Sequence, residues 1–105
     1  AFDLKNRKPI NDDMPWWNLP ETVRAASGVM KLFPHHELNS KARKVLILCS
    51  NSYFKHYVNP KVYLMAYQTI DKNAKPVDII PATPDADPGY HTGLSIIDFL
   101  RYIKI

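Results

Sequence analysis

The stretch that decides the fold runs from residue 40 to residue 58 and reads SKARKVLILCSNSYFKHYV. Ser40 is a suitable helix N-cap, because its hydroxyl can accept a hydrogen bond from a free N–H of the first turn. Apolar and aromatic side chains then recur at helical spacing, at Ala42, Leu46, Cys49, Tyr53 and Tyr57. This pattern predicts a helix over 40–58. The alternative is a buried strand over 44–49, because periodicity alone does not assign a short continuous apolar run.

A second helix is predicted upstream, over 19–33. Asn18 is a suitable N-cap three positions before Glu21, and Pro20 falls in the first turn, where its missing N–H costs nothing. One apolar stripe follows, at Leu19, Val23, Ala26, Met30 and Phe33. Pro34 then ends the helix, because proline does not fit a helix interior.

A third helix is predicted over 60–71. Asn59 followed by Pro60 is typical of a helix start. The apolar stripe of this helix runs through Val62, Met65, Ala66, Thr69 and Ile70. We expect the chain to turn at 58–60, because a residue before proline avoids the helical conformation.

A fourth helix is predicted over 93–104. Asp98, Arg101 and Lys104 form a narrow polar stripe on an otherwise apolar segment. A helix that is apolar over most of its circumference needs cover on more than one side.

Two proline-rich segments flank these helices. Residues 1–18 hold no sustained periodicity before the Trp16–Trp17 pair and predict an extended arm, while 72–92 predicts an irregular connection. We therefore expect residues 1–105 to form a single small domain of the mainly α class. An α/β fold would require the strand at 44–49.

Composition excludes several classes of protein. The chain has 105 residues, a formal net charge of +4 and one cysteine, so it forms no internal disulfide and carries no CxxC pair. Its longest run without a charged residue has ten residues, Val45–Phe54, whereas a membrane-spanning helix needs about 20 apolar residues. We predict neither a disulfide scaffold nor a zinc finger.

No group of residues predicts catalysis, a bound metal or a cofactor. The four histidines, His35, His36, His56 and His91, lack metal-ligand spacing. Cys49 lies in the most apolar stretch, where burial makes a thiol unreactive. Phosphate-binding glycine motifs are absent. We therefore expect a protein that is not an enzyme and takes no small-molecule substrate.

The positive charge is concentrated in residues 41–75, which hold seven basic residues and one acid and so carry a net charge of +6. A field of that sign attracts anionic lipid, RNA or an acidic protein. The cations predicted to contact such a partner are Lys41, Arg43, Lys44, Lys55 and Lys61.

Aromatic residues interleave with this basic segment. Because Trp and Tyr combine a large apolar body with a polar tip, they are suited to partner contacts. The candidates are Trp16, Trp17, Tyr53, Tyr57, Tyr63 and Tyr67. The alternative is that the Tyr53–Tyr57 and Tyr63–Tyr67 pairs, each spaced four residues apart, pack at the rim of the core.

The segment Arg43–Ser50, followed by Asn51–Phe54, looks a little like the strand-then-serine segment of Toll/interleukin-receptor domains, with Val77–Pro81 in the position of the next strand. The likeness covers under half of the chain, and we do not assign the chain to that family. It implies only the alternative of a small α/β signalling or interaction domain.

We favour a non-catalytic accessory subunit of a hetero-oligomeric assembly, such as a mitochondrial respiratory-chain or ATP synthase complex. Because the sequence starts at Ala1 rather than Met, we expect a processed chain and a location at the mitochondrial inner membrane or its matrix side. The second hypothesis is an RNA-contacting protein, such as an organellar ribosomal subunit.

Overall fold

Three α-helices dominate the computed structural model, which describes residues 2–10, 12–58, 61, 66–77 and 90–104. The helices are α1 (Asn18–Leu32), α2 (Asn39–His56) and α3 (Ser95–Ile103), with a π-helical turn, Tyr90–Leu94, leading into α3. The strands are only two residues long: β1 (Phe2–Asp3), β2 (Lys8–Pro9), β3 (Met14–Pro15) and β4 (Thr69–Ile70). The predicted mainly α class is confirmed.

Helix α1 is the central element, and α2 and α3 pack mainly on it rather than on each other. Helices α1 and α2 form an antiparallel pair. Their connection is fastened by the Asn39 side chain, whose Nδ2 donates to the carbonyls of Met30 at 3.4 Å and Phe33 at 3.3 Å. Satisfying these carbonyls stabilises the end of α1, which otherwise leaves its last C=O groups without partners.

Helix α3 runs parallel to α1. Arg24 Nε lies 2.9 Å from Asp98 Oδ2, and Gly28, one turn further along α1, faces the Tyr102 ring, one turn further along α3. Small side chains allow this close approach. Ser27 of α1 and Ser95 of α3 are both completely buried. The Ser27 hydroxyl donates to the Arg24 carbonyl at 2.8 Å, so its burial leaves no unpaired donor.

The most buried aromatic cluster lies at the other end of α1. Tyr53 and Tyr57, at the end of α2, pack with Ile70 of β4, and the two tyrosine rings stack with centroids 6.2 Å apart. Burial raises the pKa of the Tyr57 phenol. The Tyr57 hydroxyl donates to the Met14 carbonyl at 2.9 Å and so joins α2 to the N-terminal arm.

The N-terminal arm is extended and partly paired. Strand β1 pairs antiparallel with β2, and the turn between them is held by Asp3, whose Oδ1 accepts hydrogen bonds from the N–H groups of Lys5 and Asn6. The Asn6 side chain, which donates to Asp3 Oδ2, and then these backbone bonds lower the pKa of the Asp3 carboxyl. Strand β3 pairs with β4, so the arm lies on this domain itself.

The helix predicted over 60–71 is wrong in its second half. Ala66 forms an isolated bridge with Val58, and Thr69 and Ile70 form β4. Ile70 is buried against the two tyrosines and pairs with Met14, so tertiary contacts outweigh the helical periodicity. Residues 60 and 62–65 lie outside the described part.

The strand alternative for 44–49 is also wrong, because these residues lie inside α2. Each of the other three predicted helices differs from the observed one by one or two residues at each end. The connection predicted over 72–92 is described only at its ends. Asp71 closes the turn at 71–75, with Oδ1 accepting from Asn73 N at 2.7 Å and Lys75 N at 3.0 Å, whereas 78–89 lies outside the described residues.

We expect Gly28→Ala to stabilise the protein by about 1 kcal/mol, because alanine has the higher helix propensity. A Cβ at this position would lie 3.7 Å from Tyr102 Cε2, which is an ordinary van der Waals contact. The exposed Ala25 on the same helix supplies the mirror-image control, and Ala25→Gly should destabilise by about the same amount. Urea denaturation followed by circular dichroism measures both changes. A loss of stability in Gly28→Ala would contradict the described α1–α3 spacing.

Tyr57→Phe should destabilise the protein by about 1 kcal/mol, because it removes the hydroxyl that donates to the Met14 carbonyl. The ring and its packing are retained. Tyr102→Phe, on α3, is the control, since no hydrogen bond of its hydroxyl is seen in the described part of the chain, and it should change stability by less than about 0.5 kcal/mol. Equal effects of the two changes in urea denaturation would show that the Tyr57–Met14 bond contributes nothing.

Candidate partner-binding surface

A groove runs between α2 and α3, with α1 as its floor. It contains a cavity of about 120 Å³. The floor of the cavity is formed by Pro20 and Val23, and its walls by Ser50, Tyr53 and Phe54 of α2 and Ile96, Phe99 and Leu100 of α3. We call this feature the α2–α3 groove.

The groove arises because α2 and α3 pack against different sides of α1. Val23 contacts the groove, and Asp98 is held at Arg24, next to it in sequence. The α3 residues that face the groove lie on both sides of Asp98 in sequence, Ile96 before it and Phe99 and Leu100 after it. Since α2 is antiparallel to α1 and α3 is parallel to it, the N-terminal half of α2 lies beside the C-terminal end of α3.

Large apolar side chains on the rims of the groove are open to solvent. Phe54 is 60% exposed on the α2 rim, and Leu100 is 50% exposed on the α3 rim. Ile47 lies two turns before Phe54 on the same side of α2, while Ile97 and Ile103 lie about one turn on either side of Leu100. These three are also exposed. The rims therefore form an apolar surface that the described part of the chain does not cover.

The α2 sequence explains this exposure. One side of the helix packs on α1 through residues such as Leu46, Cys49 and Tyr53, as predicted from the stripe. A second series, spaced four, three and four residues apart, consists of Arg43, Ile47, Ser50 and Phe54. The second series faces the groove, so α2 has more apolar surface than α1 alone can bury.

The residues that line the cavity carry no charge, and the exposed charges elsewhere on α2 and α3 are positive. Helix α2 contains no acidic residue. The single acid of α3, Asp98, is mostly buried and lies 2.9 Å from Arg24 and 3.5 Å from Arg101. The exposed cations of α2 and α3 are Lys41, Arg43, Lys44, Lys55, Arg101 and Lys104. Arg101 lies on the Asp98 side of α3, away from the residues that line the groove, whereas Arg43 lies on the groove side of α2.

The structure places the predicted aromatic partner residues mostly in the interior. Tyr53 and Tyr57 are buried, and Trp16 and Tyr67 are half-buried against the cluster around them. Their rings therefore fill the protein's own core. Trp17 remains 45% exposed. Tyr63 lies outside the described residues.

Trp16 and Trp17 enclose a histidine that the sequence did not connect with them. The His91 ring lies edge-on to Trp16, with centroids 6.3 Å apart, and tilted over Trp17 at 5.6 Å. His91 Nδ1 is 3.0 Å from Glu21 Oε1. Trp16 Nε1–H donates to Thr92 Oγ1 at 3.2 Å. This cluster fastens the arm to the turn that precedes α3.

The predicted cations do not share one surface. Arg43 lies on the groove side of α2, and Lys44 and Lys55 point outward from the helix. Lys41 lies on the opposite side, beside a shallower groove between α1 and α2 that also includes Leu38 and Val45. Lys61 is exposed but belongs to neither helix.

Sequence reasoning did not identify Phe54 and Leu100, the exposed apolar residues on the two rims of the groove. The signal that pointed toward them was the excess of apolar residues around the last helix, which predicted cover on more than one side. Helix α2 has a similar excess of apolar residues, but for residues 44–49 the alternative of a buried strand explained that excess.

Within the described residues, no group of three or more His, Cys, Asp or Glu side chains is placed to hold a metal ion. Cys49 is half-buried on α2, and burial raises the pKa of its thiol. In the same part of the chain, no helix has the length and apolar character needed to cross a bilayer.

Comparisons of the chain with family models, with curated proteins and with solved structures found no match.

We expect Cys49 to react several times more slowly with iodoacetamide at pH 8 in the folded chain than in urea. Burial raises the pKa of the thiol, and only the thiolate attacks the reagent. The chain has one cysteine, so mass spectrometry of the alkylated protein reports this residue alone. Cys49→Ser is the blank. Equal rates in the two conditions would contradict the described position of Cys49.

Proposed function

We propose that the protein is a non-catalytic accessory subunit of a larger assembly and that the α2–α3 groove is buried against another protein subunit. The observation that carries this proposal is the solvent-exposed apolar rim formed by Phe54 and Leu100 around a cavity. Continuous exposed apolar surface on a small protein is typical of an interaction site.

The balance between buried and exposed side chains supports the proposal. In the described part of the chain, five hydrophobic residues are buried, whereas fourteen large hydrophobic residues are exposed. Six of the fourteen lie on α2 and α3, at Ile47, Leu48, Phe54, Ile97, Leu100 and Ile103. Burying a large apolar side chain contributes about 1.5–3 kcal/mol, so covering this surface would drive association.

The competing hypotheses have less support. The RNA hypothesis used the tyrosines as stacking surfaces, but the rings of Tyr53 and Tyr57 are buried. The α/β signalling hypothesis required a strand at 44–49, and this stretch is helical. Membership of a mitochondrial respiratory-chain or ATP synthase complex, at the inner membrane or its matrix side, stays a prediction from the sequence.

The test is affinity purification of the full tagged chain from gently solubilised cells, with native gel electrophoresis and mass spectrometry. We expect the unchanged chain to migrate in a large assembly. Phe54→Asp and Leu100→Asp should each reduce recovery of the partner subunits at least tenfold, because a buried charge opposes closure of the interface.

Leu32→Asp is the matched control. Leu32 is also an exposed apolar residue on a helix, 63% exposed, but it lies at the end of α1 away from the groove. It should leave recovery unchanged. Circular dichroism confirms that all three variants fold. Migration of the unchanged chain as a free 12.1 kDa species would contradict the proposal. An equal loss of partner recovery in all three variants would contradict it as well.

A further inference from the structure

We infer that a second cleft, where the N-terminal arm, α1, α2 and β4 meet, binds a small organic acid. The carboxylate of this ligand contacts the Lys72 ammonium and the His56 imidazole, and its hydrocarbon part lies on the apolar side chains of the cleft. This function is separate from the subunit contact proposed above, and it concerns a bound ligand rather than a substrate. We call this feature the arm cleft; its polar side chains are Asn18, Ser52, His56 and Lys72.

The arm cleft has the size of a small-molecule site. Its volume is about 330 Å³, and pockets that bind small molecules have volumes of about 300–1,000 Å³. Its apolar lining includes Met14 of β3, Leu19 of α1, Tyr57 of α2 and Ile70 of β4. Tyr57 and Ile70 belong to the buried aromatic cluster, and Met14 pairs with Ile70. The contacts that hold the core together therefore also shape this cleft.

Four polar side chains of the cleft are available to a ligand. In the described part of the chain, the side chains of Asn18, Ser52, His56 and Lys72 form no hydrogen bond or ion pair. Ser52 and His56 are nevertheless half-buried. An amide, a hydroxyl, an imidazole and an ammonium can each donate a hydrogen bond, whereas an ionised carboxylate only accepts. A carboxylate therefore satisfies several of these groups at once.

The charge of the lining has one sign. Lys72 lines the cleft, and no acidic residue does. Asp71 is the neighbour of Lys72 in sequence, but its Oδ1 accepts hydrogen bonds from the N–H groups of Asn73 and Lys75 in the turn. Asp13, on the arm, lies outside the lining. An anionic group is therefore attracted to this cleft, whereas an organic cation is repelled.

Lys72 is presented by a turn that is held in place from within. Asp71 N donates to the Lys75 carbonyl at 2.9 Å, and Ala74 N donates to the Asp71 carbonyl at 3.0 Å. Ala74, which also lines the cleft, has a φ of 60°. This left-handed conformation is uncommon for residues other than glycine, and it persists where the surroundings hold it, often at ligand sites. Because the backbone under Lys72 is already fixed, a ligand has less of the protein to order.

The arm cleft and the α2–α3 groove lie on different sides of α2. Ser52 and His56 are four residues apart and so share one side of the helix. Phe54 is two residues from each of them and therefore points to the opposite side, where it lines the groove. Each site can thus be changed without altering the other.

NMR titration of the isotope-labelled full chain with phenylacetate, octanoate and naphthoate tests the inference. We expect at least one of these acids to bind saturably, with a Kd of about 1 mM or lower. Its binding should shift the backbone amide signals of Leu19, His56 and Lys72. The alcohol with the same carbon skeleton should bind at least about tenfold more weakly, because it lacks the charge that Lys72 pairs with.

Lys72→Gln should weaken binding of the acid about tenfold, because it removes the cation of the cleft. Lys75→Gln is the matched control. Lys75 is an exposed lysine of the same turn but lies outside the lining, so its replacement should change the Kd by less than about twofold. Phe54→Asp, which alters the α2–α3 groove, should leave the Kd unchanged.

Several results would overturn the inference. They are the absence of saturable binding by all three acids up to about 10 mM, equal affinity for the matching alcohol, and equal losses in Lys72→Gln and Lys75→Gln. Signal shifts confined to Phe54 and Leu100 would place the acid in the α2–α3 groove and would overturn it too. The accessory-subunit function is tested separately by partner recovery and would survive each of these results.

Discussion

The close packing of α1 against α3 is the constraint on which the rest of the structure depends. Ser27 of α1 and Ser95 of α3 are completely buried, and Gly28 faces the Tyr102 ring. With small side chains at the contact, two helix backbones approach closely and exchange many van der Waals contacts. The Arg24–Asp98 pair then fixes the position of α3 along α1.

This arrangement leaves α2 and α3 apart. Both helices use α1 as their common support, so neither covers the outer side of the other. Their facing sides are nevertheless apolar, at Phe54 on one and Leu100 on the other. The α2–α3 groove is therefore the direct consequence of a three-helix packing in which both α2 and α3 pack on α1.

The helices could be predicted from the sequence because their signals are local. Helix α1 combines proline in the first turn with a regular apolar stripe, and α2 has a stripe of its own from Ala42 to Tyr57. Strand β4 could not be predicted in this way. Ile70 is extended because Met14 and Pro76 pair with it and because Tyr53 and Tyr57 cover its side chain. Met14 and the two tyrosines are distant from Ile70 in sequence, and local periodicity contains no information about them.

The groove was only partly predictable. An apolar last helix indicated unfilled surface, and the charge count indicated a basic face, but neither indicated which side of α2 would face α3. The tyrosines illustrate the limit most clearly. Tyr53 and Tyr57 have the composition of an interface, yet β4 and the N-terminal arm cover them. Composition alone does not distinguish a ring that binds a partner from one that the chain itself covers.

The same packing relates stability to binding. Because few side chains are fully buried in the described part of the chain, the free protein gains little from its own interior. A partner that binds only the folded groove adds its binding free energy to the stability of the fold, and the addition grows with the logarithm of partner concentration. While they are exposed, apolar side chains on the rims of α2 and α3 contribute little to the free energy of unfolding of the free protein. Once a partner covers them, they contribute to the free energy of binding. Under the proposed function, a partner that covers Phe54 and Leu100 would therefore couple the stability of the fold to assembly.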